Sequence, residues 1–476
     1  MDRWLQSALD YIPEWLGYQS HMSKRPGCVI AIAHRGRIIL ERAFGEANLA
    51  AGEKMTPRHR FRVASQSKSF TAAGVLKLRE QKKLKLDDQI GDYVDGLHAG
   101  IARATIGQVL SHSAGLVRDG ADSGFFLDRR PFSDLDEVLE IFKGPPIVEP
   151  NSRFKYSNQG FALLGIVIAR ITGETYASFI KREVIDAVGL AETTPDMPIP
   201  KGTPFATGYS SDLPLGRRVP FPGRYTLNAM TPAGGFVSTA HDLALFFNQL
   251  SPRAANSVLT PASRREMTRR HWRNMPSSIE GYYGLGVSSG SLFNWDWFGH
   301  SGGLQGYITR TATLPAQDLT ISVLTNAIDG WAGAWVDGVV HILRAFAHNG
   351  PPIRKVADWT GRWWNVWGAV DLVPMGTRVM VAAPWAWNPM LDAAELHIER
   401  RDRGTIAVCG GYGSPGESVR RIRNKSGRVT ELWLGPASMQ PEARVASEME
   451  RRYEAKPRPP PRVAAARRRG SDTKRN

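Results

Sequence analysis

Apolar residues in the first 350 positions form short extended runs at both ends and follow helical spacing in between. Residues 28–34 and 37–44 flank a short Arg-Gly turn and are predicted to be two strands. Further strands are predicted at about 282–287, 295–300, 306–314 and 319–325. Strands that come first and last, with helices between, predict an α/β lobe built from both ends of this segment.

Apolar positions three and four residues apart predict the helices. The predicted helices are about 4–16, a segment starting near Ser65, then 106–115, 159–173, 175–188, 241–250 and 331–348. Residues 121–155 contain four prolines, and 195–230 are rich in proline and glycine, so both are predicted to be irregular. We therefore expect a sheet lobe over about 1–74 and 215–350, with an all-helical insertion over about 75–214.

The pattern changes after Pro351-Pro352. Seven tryptophans lie within 358–440, in short alternating segments that are separated by turn signals such as Arg403-Gly404. This pattern predicts a small antiparallel β-barrel or sandwich over about 356–450. The last segment, 451–476, is rich in proline and carries ten Lys and Arg residues against two acidic ones, which predicts a basic disordered tail.

Net charge changes this picture only slightly. The chain has 476 residues and a formal charge of +16, and the tail supplies half of that excess. No recognised nucleic-acid-binding motif accompanies the charge, so we expect no specific nucleic-acid partner.

No apolar run is long enough for a membrane span, and the first residues lack the features of a secretory signal. Two cysteines, Cys28 and Cys409, are predicted to be free thiols. A cytoplasmic location is expected, with a processed exported form left open.

Candidate chemistry begins at Ser65-Gln-Ser-Lys68. Ser65 falls near the first turn of a predicted helix, and Lys68 lies one turn along the same face. A serine hydroxyl is a weak nucleophile that needs an adjacent base, and a lysine with a depressed pKa can be that base. The spacing alone is weak, because Ser178 and Lys181 share it.

Two further motifs support the hypothesis that Ser65 is a nucleophile with Lys68 as its base. Tyr156-Ser-Asn158 precedes the 159–173 helix and offers a phenol and an amide on the same side of an extended segment. His300-Ser301-Gly302-Gly303 lies between two strand-like segments, where glycines would allow a substrate to approach a strand edge. A backbone N–H group there could be an oxyanion donor beside that of Ser65.

These three motifs, in this order, resemble those of the serine β-lactamase and penicillin-binding-protein superfamily. The resemblance is to its class C β-lactamase, D-aminopeptidase and esterase branch, and it covers about residues 20–350. The segments Val109-Leu-Ser-His-Ser-Ala-Gly-Leu and Phe154-Lys-Tyr-Ser-Asn-Gln-Gly-Phe are also similar to that family. The implied fold is an antiparallel-sheet lobe with a helical insertion. The C-terminal barrel resembles the lipocalin-like extension of some D-aminopeptidases.

The resemblance also implies roles for the motif residues. Ser65 would be acylated, while Lys68 and Tyr156 would share the general base and acid work. Asn158 would bind the substrate amide, and the N–H groups of Ser65 and Gly303 would form the oxyanion hole. Ser301 and Gly302 would complete the substrate-binding strand. His300 replaces the lysine usual in β-lactamases, and we expect it to make activity change near pH 6–7 because imidazole titrates there.

Several alternatives stay open. A true β-lactamase and a non-catalytic scaffold with this fold are the main ones. Gly286-Val-Ser288-Ser-Gly290 also matches the nucleophile elbow of α/β-hydrolases, but no helical pattern follows it. No metal-ligand spacing is present, so neither a metal nor another cofactor is expected. The expected partner is a small molecule or short peptide substrate, with a homo-oligomer also possible.

Overall fold

Strands from both ends of the first 350 residues meet in one antiparallel sheet. The computed structural model describes residues 1–213, 215–274, 281–410 and 414–454. The chain separates into unit 1, which comprises Met1–Asn349 and Trp385–Pro389, and unit 2, which comprises Gly350–Pro384 and the residues from Met390 onwards.

Unit 1 contains a sheet and helices whose bounds mostly follow the predicted segments. Its strands are β1 Gly27–His34, β2 Arg37–Asn48, β3 Glu53–Lys54, β4 Phe61–Arg62, β5 Val237–Ser238, β6 Trp272–Arg273, β7 Gly281–Tyr283, β8 Ser288–Leu292, β9 Trp295–Leu304, β10 Tyr307–Leu314 and β11 Leu319–Thr325. Its helices are α1 Arg3–Met22, α2 Ser67–Glu80, α3 Ala99–Ala102, α4 Ile106–Leu110, α5 Leu135–Ile141, α6 Asn158–Thr172, α7 Tyr176–Ile180, α8 Thr231–Gly234, α9 Ala240–Gln249, α10 Pro261–Thr268 and α11 Ala332–Asn349.

The main sheet places the first strand beside the last. Within the described residues its order is β3-β2-β1-β11-β10-β9-β8-β7-β6. β1 pairs with β2 on one side and with β11 on the other, from Cys28 opposite Thr325 to His34 opposite Leu319. β1 is covered by strands on both edges and is buried on both faces. Its apolar residues therefore follow one another without the alternation of a half-exposed strand.

Helix α2 runs through the centre of unit 1 and carries the candidate nucleophile segment. Every residue from Ser67 to Leu78 except Lys77 is buried. A helix that is covered all round belongs to a core, and Phe70 stacks on Phe236 and Phe246 at centroid distances of 4.6 and 3.8 Å. The site is therefore anchored on one of the best-packed elements of the chain.

Unit 2 is a barrel-like antiparallel sheet, as predicted. Its described elements are β12 Gly361–Asn365, β13 Gly368–Met375, β14 Arg378–Ala382, β15 Ala394–Arg400, β16 Arg403–Val408, β17 Ser418–Arg423, β18 Val429–Leu434, β19 Ala437–Met439 and α12 Glu442–Tyr453. Trp364 and Gln440 exchange two backbone hydrogen bonds of 2.8 Å, so the two ends of the sheet meet. The segment 451–476 was predicted to be disordered; α12 includes its first three residues, and 455–476 lies outside the described residues.

Some predicted bounds were wrong. The helix predicted at 106–115 ends at Leu110, and the one predicted at 175–188 divides into α7, a π-helical turn and a 3₁₀ turn. Helix α5 lies inside 121–155, which was predicted to be irregular, and α10 was not predicted. His300 was placed between two strands but lies within β9, which continues to Leu304.

Candidate active site

Ser65 stands on a strained turn at the start of helix α2. A 3₁₀ turn, Ala64–Gln66, leads directly into the helix. Ala64 has a φ of +51°, a left-handed conformation that residues with a Cβ rarely adopt. Such strain concentrates at functional sites, where the surrounding structure holds it in place. The turn directs Ser65 into a cavity that its neighbours line.

Lys68 is fully buried, one turn along from Ser65. Its Nζ lies 3.2 Å from Ser65 Oγ, and it donates to Asn158 Oδ1 and to the carbonyl oxygen of Ala233, both at 2.7 Å. Burial lowers the pKa of Lys68 well below its ordinary value of 10.5. In its neutral form this amine would have two N–H donors and one lone pair. The two oxygens would then accept from both donors, and the lone pair would be left for the Ser65 hydroxyl.

Tyr156 contacts the nucleophile from the other side. Its hydroxyl donates to Ser65 Oγ at 2.9 Å, and Lys68 Nζ lies 4.9 Å from the centre of its ring. Burial raises the pKa of the Tyr156 phenol above its ordinary value. The phenol is therefore protonated at neutral pH and can serve as a proton donor. The structure brings together Ser65, Lys68 and Tyr156, as the motif spacing predicted.

Asn158 links Lys68 to a charged pair that the sequence analysis missed. Its Nδ2 donates to Asp119 Oδ1 at 2.6 Å, so its Oδ1 faces Lys68. Asp119 in turn accepts from Arg118 Nε at 2.9 Å. Both amide groups of Asn158 are thus engaged in this structure. Asp119 lies 39 residues from Asn158, and no local spacing signals their contact.

His300 is buried and is not among the residues that line the cavity around Ser65. Along β9, His300 and Gly302 are buried, whereas Ser301 and Gly303 are exposed, as alternation on a strand requires. The His300 ring donates through Nδ1 to the Ser301 carbonyl oxygen at 2.6 Å and accepts at Nε2 from the Tyr283 hydroxyl at 3.0 Å. Burial lowers the pKa of His300 to about 3. The expectation that His300 titrates near pH 6–7 is therefore wrong, because the buried ring stays neutral there.

The exposed edge of β9 borders the nucleophile. Strand β8 pairs with β9 only as far as Gly299, so it leaves the stretch with Ser301 and Gly303 uncovered. A Cβ at Gly302 would lie 2.1 Å from the carbonyl oxygen of Val63, so only glycine allows β9 to approach the Ser65 turn so closely. Gly303 lines the same cavity as Ser65, where its N–H group could face an oxyanion.

The cavity encloses about 210 Å³. Its polar lining residues include Ser65, Asn158, Asp119 and Arg118. Its apolar lining residues include Phe126, Phe132, Leu227, Met230 and Leu304. This volume suits a small acyl group, since pockets that bind drug-sized ligands measure about 300–1,000 Å³.

The other candidate residues do not join this site. Ser288 begins strand β8, which is followed by another strand and not by the helix that a nucleophile elbow requires. Lys181 is bound to Asp186 on the surface.

In the described ranges, no three His, Cys, Asp or Glu side chains are arranged as metal ligands. No single described helix is long and apolar enough to cross a membrane, although Asn158–Thr172 and Tyr176–Val188, bent by 83°, reach that length and composition as a pair.

Comparison with known proteins identifies the family. The family model described as Beta-lactamase matches residues 12–332, which is more than half of the chain. The chain belongs to the Beta-lactamase family. The resemblance predicted from the motifs of Ser65, Tyr156 and His300 is thereby confirmed.

Individual relatives of this Beta-lactamase family member are distant. Protein flp of Staphylococcus aureus (strain N315) is 24% identical over 330 residues, which are 67% of this chain and 63% of that protein. The chain thus spans about 63% of the length of that relative. The octameric penicillin-binding protein homologue from Pyrococcus abyssi has a TM-score of 0.63 at 22% identity. The superposition includes 90% of this chain and 99% of the homologue's chain. The D-amino acid amidase from Ochrobactrum anthropi SV3 has a TM-score of 0.60 at 22% identity, with coverages of 72% and 99%. These structural likenesses establish the fold.

Proposed function

We propose that this protein is a serine hydrolase that forms an acyl-enzyme on Ser65 with an amide, a short D-amino-acid peptide or an ester. The observation that carries the proposal is the partly buried hydrogen-bond chain from Tyr156 through Ser65 to Lys68. A protonated phenol and an amine whose pKa burial lowers, one on each side of a serine hydroxyl, supply an acid and a base.

In the proposed mechanism, Lys68 Nζ takes the proton of Ser65 as Oγ attacks the substrate carbonyl carbon. The carbonyl oxygen becomes an oxyanion, which the backbone N–H groups of Ser65 and Gly303 stabilise. The tetrahedral intermediate collapses when the leaving group takes a proton from the Tyr156 hydroxyl, and the neighbouring Lys68 ammonium then returns a proton to the Tyr156 phenolate. Water then attacks the carbonyl carbon of the acyl ester. Lys68 and Tyr156 take up the proton that the water loses and return a proton to Ser65 Oγ, which leaves as the free hydroxyl.

The cavity supports small substrates with an apolar acyl part. Its lining combines apolar side chains, Phe132 and Leu304 among them, with the polar side chains of Ser65 and Asn158. A D-amino-acid derivative fits this mixed lining, and the name of the structurally similar amidase supports the same substrate class. We rank β-lactam hydrolysis lower, because the family resemblance expects a lysine where the neutral His300 stands. A non-catalytic scaffold would gain nothing from a buried Lys68 held by two oxygens.

The decisive experiment incubates the wild type and Ser65→Ala with a short p-nitrophenyl ester, D-alanine p-nitroanilide and nitrocefin. Turnover and intact mass are recorded for each. We expect turnover and a transient acyl adduct in the wild type, and a loss of about 10³-fold or more in Ser65→Ala. Ser178→Ala is the matched control, because Ser178 shares the Ser-x-x-Lys spacing but is exposed and bonds to Thr175. Equal turnover in Ser65→Ala and the wild type would reject Ser65 as the nucleophile.

Assembly is a separate proposal. The sequence analysis left a homo-oligomer possible, and the octameric assembly named for the Pyrococcus abyssi homologue supports that idea. Light scattering on the purified protein would test it, and a monomer mass over a range of concentrations would reject it.

A further inference from the structure

His112 is a buried histidine in the segment Ser111-His-Ser-Ala-Gly115, which the proposed mechanism does not use. It follows the end of α4 and has a φ of +59°, in the left-handed region that a residue with a Cβ rarely adopts. It is also only 2% exposed and does not line the cavity that contains Ser65. A costly conformation at a site without substrate contact calls for a structural reason.

The reason lies in the backbone on either side of Tyr156. The N–H group of Lys155 donates to the His112 carbonyl oxygen at 2.7 Å. The N–H group of Ser157 donates to His112 Nδ1 at 3.1 Å. One residue therefore holds both neighbours of Tyr156. Since side-chain direction alternates along an extended segment, fixing residues 155 and 157 fixes the direction in which Tyr156 points.

The imidazole also packs against the phenol ring. The His112 and Tyr156 ring centroids are 4.2 Å apart, and Phe161 and Tyr283 lie at 5.1 and 4.7 Å from His112. Burial lowers the pKa of His112 well below its ordinary value, with Lys68 and His300 adding to the effect. Because Nδ1 accepts, the ring proton is on Nε2, which has no hydrogen-bond partner among the described residues. His112 is thus poorly placed to relay protons.

We infer that His112 is a positioning residue that holds the Tyr156 hydroxyl at hydrogen-bond distance from Ser65 through these two backbone contacts. The inference rests on the proposed function of Ser65 and Tyr156. The contact at stake is the 2.9 Å bond between Tyr156 and Ser65 Oγ, which a small shift of the 155–157 backbone would break.

Two variants separate the hydrogen bond from the ring. His112→Phe keeps a ring but removes the Nδ1 acceptor. His112→Asn keeps an acceptor at the same position, and asparagine adopts left-handed φ more readily than most residues. We expect His112→Phe to lower kcat about tenfold or more with KM changed less than about twofold, and His112→Asn to recover most of kcat. His59→Phe is the matched control, because His59 is also buried and its Nδ1 accepts from the N–H group of Thr56 at 3.0 Å.

A double-mutant cycle excludes a general loss of structure. In a Tyr156→Phe background, His112→Phe should cause no further loss of kcat, because the hydroxyl that His112 positions is already absent. A further loss of similar size would overturn the inference, as would unchanged kcat in His112→Phe alone or a failure of His112→Asn to recover it.

A readout without turnover distinguishes this inference from the proposed function. With 3-fluorotyrosine incorporated, the ¹⁹F resonance of Tyr156 is assigned by its loss in Tyr156→Phe. We expect His112→Phe to shift or broaden this resonance, and His59→Phe to leave it in place. If Ser65→Ala were as active as the wild type, the proposed function would fail, but the ¹⁹F result would still test the placement of Tyr156. An unmoved resonance in His112→Phe would overturn the placement itself.

Discussion

Two pairs in this chain share the Ser-x-x-Lys spacing near a helix start, and they have opposite surroundings. Lys68 is fully buried and donates to two neutral oxygens. The Lys181 side chain is 55% exposed and binds both carboxylate oxygens of Asp186, at 2.6 and 2.8 Å. Burial lowers the pKa of the Lys68 amine well below its ordinary value, whereas the Lys181 amine stays largely in solvent. The environment, and not the spacing, makes a lysine a base.

The largest difference should appear when each lysine loses its amine. We expect Lys68→Met to lower kcat by about 10²- to 10⁴-fold, the range of general-base catalysis. Lys181→Met should leave kcat unchanged and alter the free energy of unfolding by less than about 0.5 kcal/mol, since exposed ion pairs contribute little. Steady-state kinetics and urea denaturation of both variants make the test. A Lys68→Met enzyme with wild-type kcat would remove Lys68 from the mechanism.

The second prediction gives Lys68 the kind of partner that Lys181 has. The double variant Asn158→Asp/Asp119→Asn exchanges two contacting residues, so the bond between them and the total charge are kept while a carboxylate moves onto Lys68. A carboxylate at that distance stabilises the ammonium and raises the pKa of Lys68. We expect kcat at neutral pH to fall about 10- to 100-fold and the acid limb of the kcat profile to move to higher pH.

The position of the acid limb, and not the size of kcat, decides this test. Asn158 is also expected to contact substrate, so its replacement lowers kcat for a second reason. The single variant Asp119→Asn is the control, since it removes the charge without placing one on Lys68. An acid limb at the same pH in the wild type and the double variant would show that Lys68 does not control it.

The smallest effect concerns the stability of the buried site in acid. The pKa of His300 is about 3 in the folded protein and about 6.5 in the unfolded chain, so between these values the unfolded chain binds the extra proton. The free energy of unfolding therefore falls as pH drops from about 6.5 towards 3. His300→Gln should lose less stability than the wild type on acidification, by about 2 kcal/mol at about pH 5. Urea denaturation at several pH values measures this difference, and parallel curves for the two proteins would contradict it.

Local signals explain what could be predicted from the sequence. The contacts among Ser65, Lys68 and Tyr156 could be anticipated because the first two lie about one helical turn apart and the third precedes a strong helix. Helix α5 was missed although its signal was present, since Asp134 and Glu137 form a capping box. Thr260-Pro261 likewise marks the start of α10.

Other features have no local signal. The contacts of Lys68 with Ala233 and of Asn158 with Asp119 join residues 165 and 39 positions apart. The neutral state of His300 depends on its burial beside Tyr283, and its residue type alone suggested the opposite. Spacing within a segment predicts which groups can meet, whereas their pKa values depend on which distant segments cover them.

The position of β1 in the sheet has a consequence for synthesis on the ribosome. This apolar strand is finished at His34, but its partner β11 begins only at Leu319, 285 residues later. At about 5–20 residues per second, one edge of β1 waits about 15–60 s for its neighbour. Unpaired apolar edges recruit other chains. Nascent or truncated chains that end before β11 should therefore aggregate and depend on chaperones, however stable the finished sheet is.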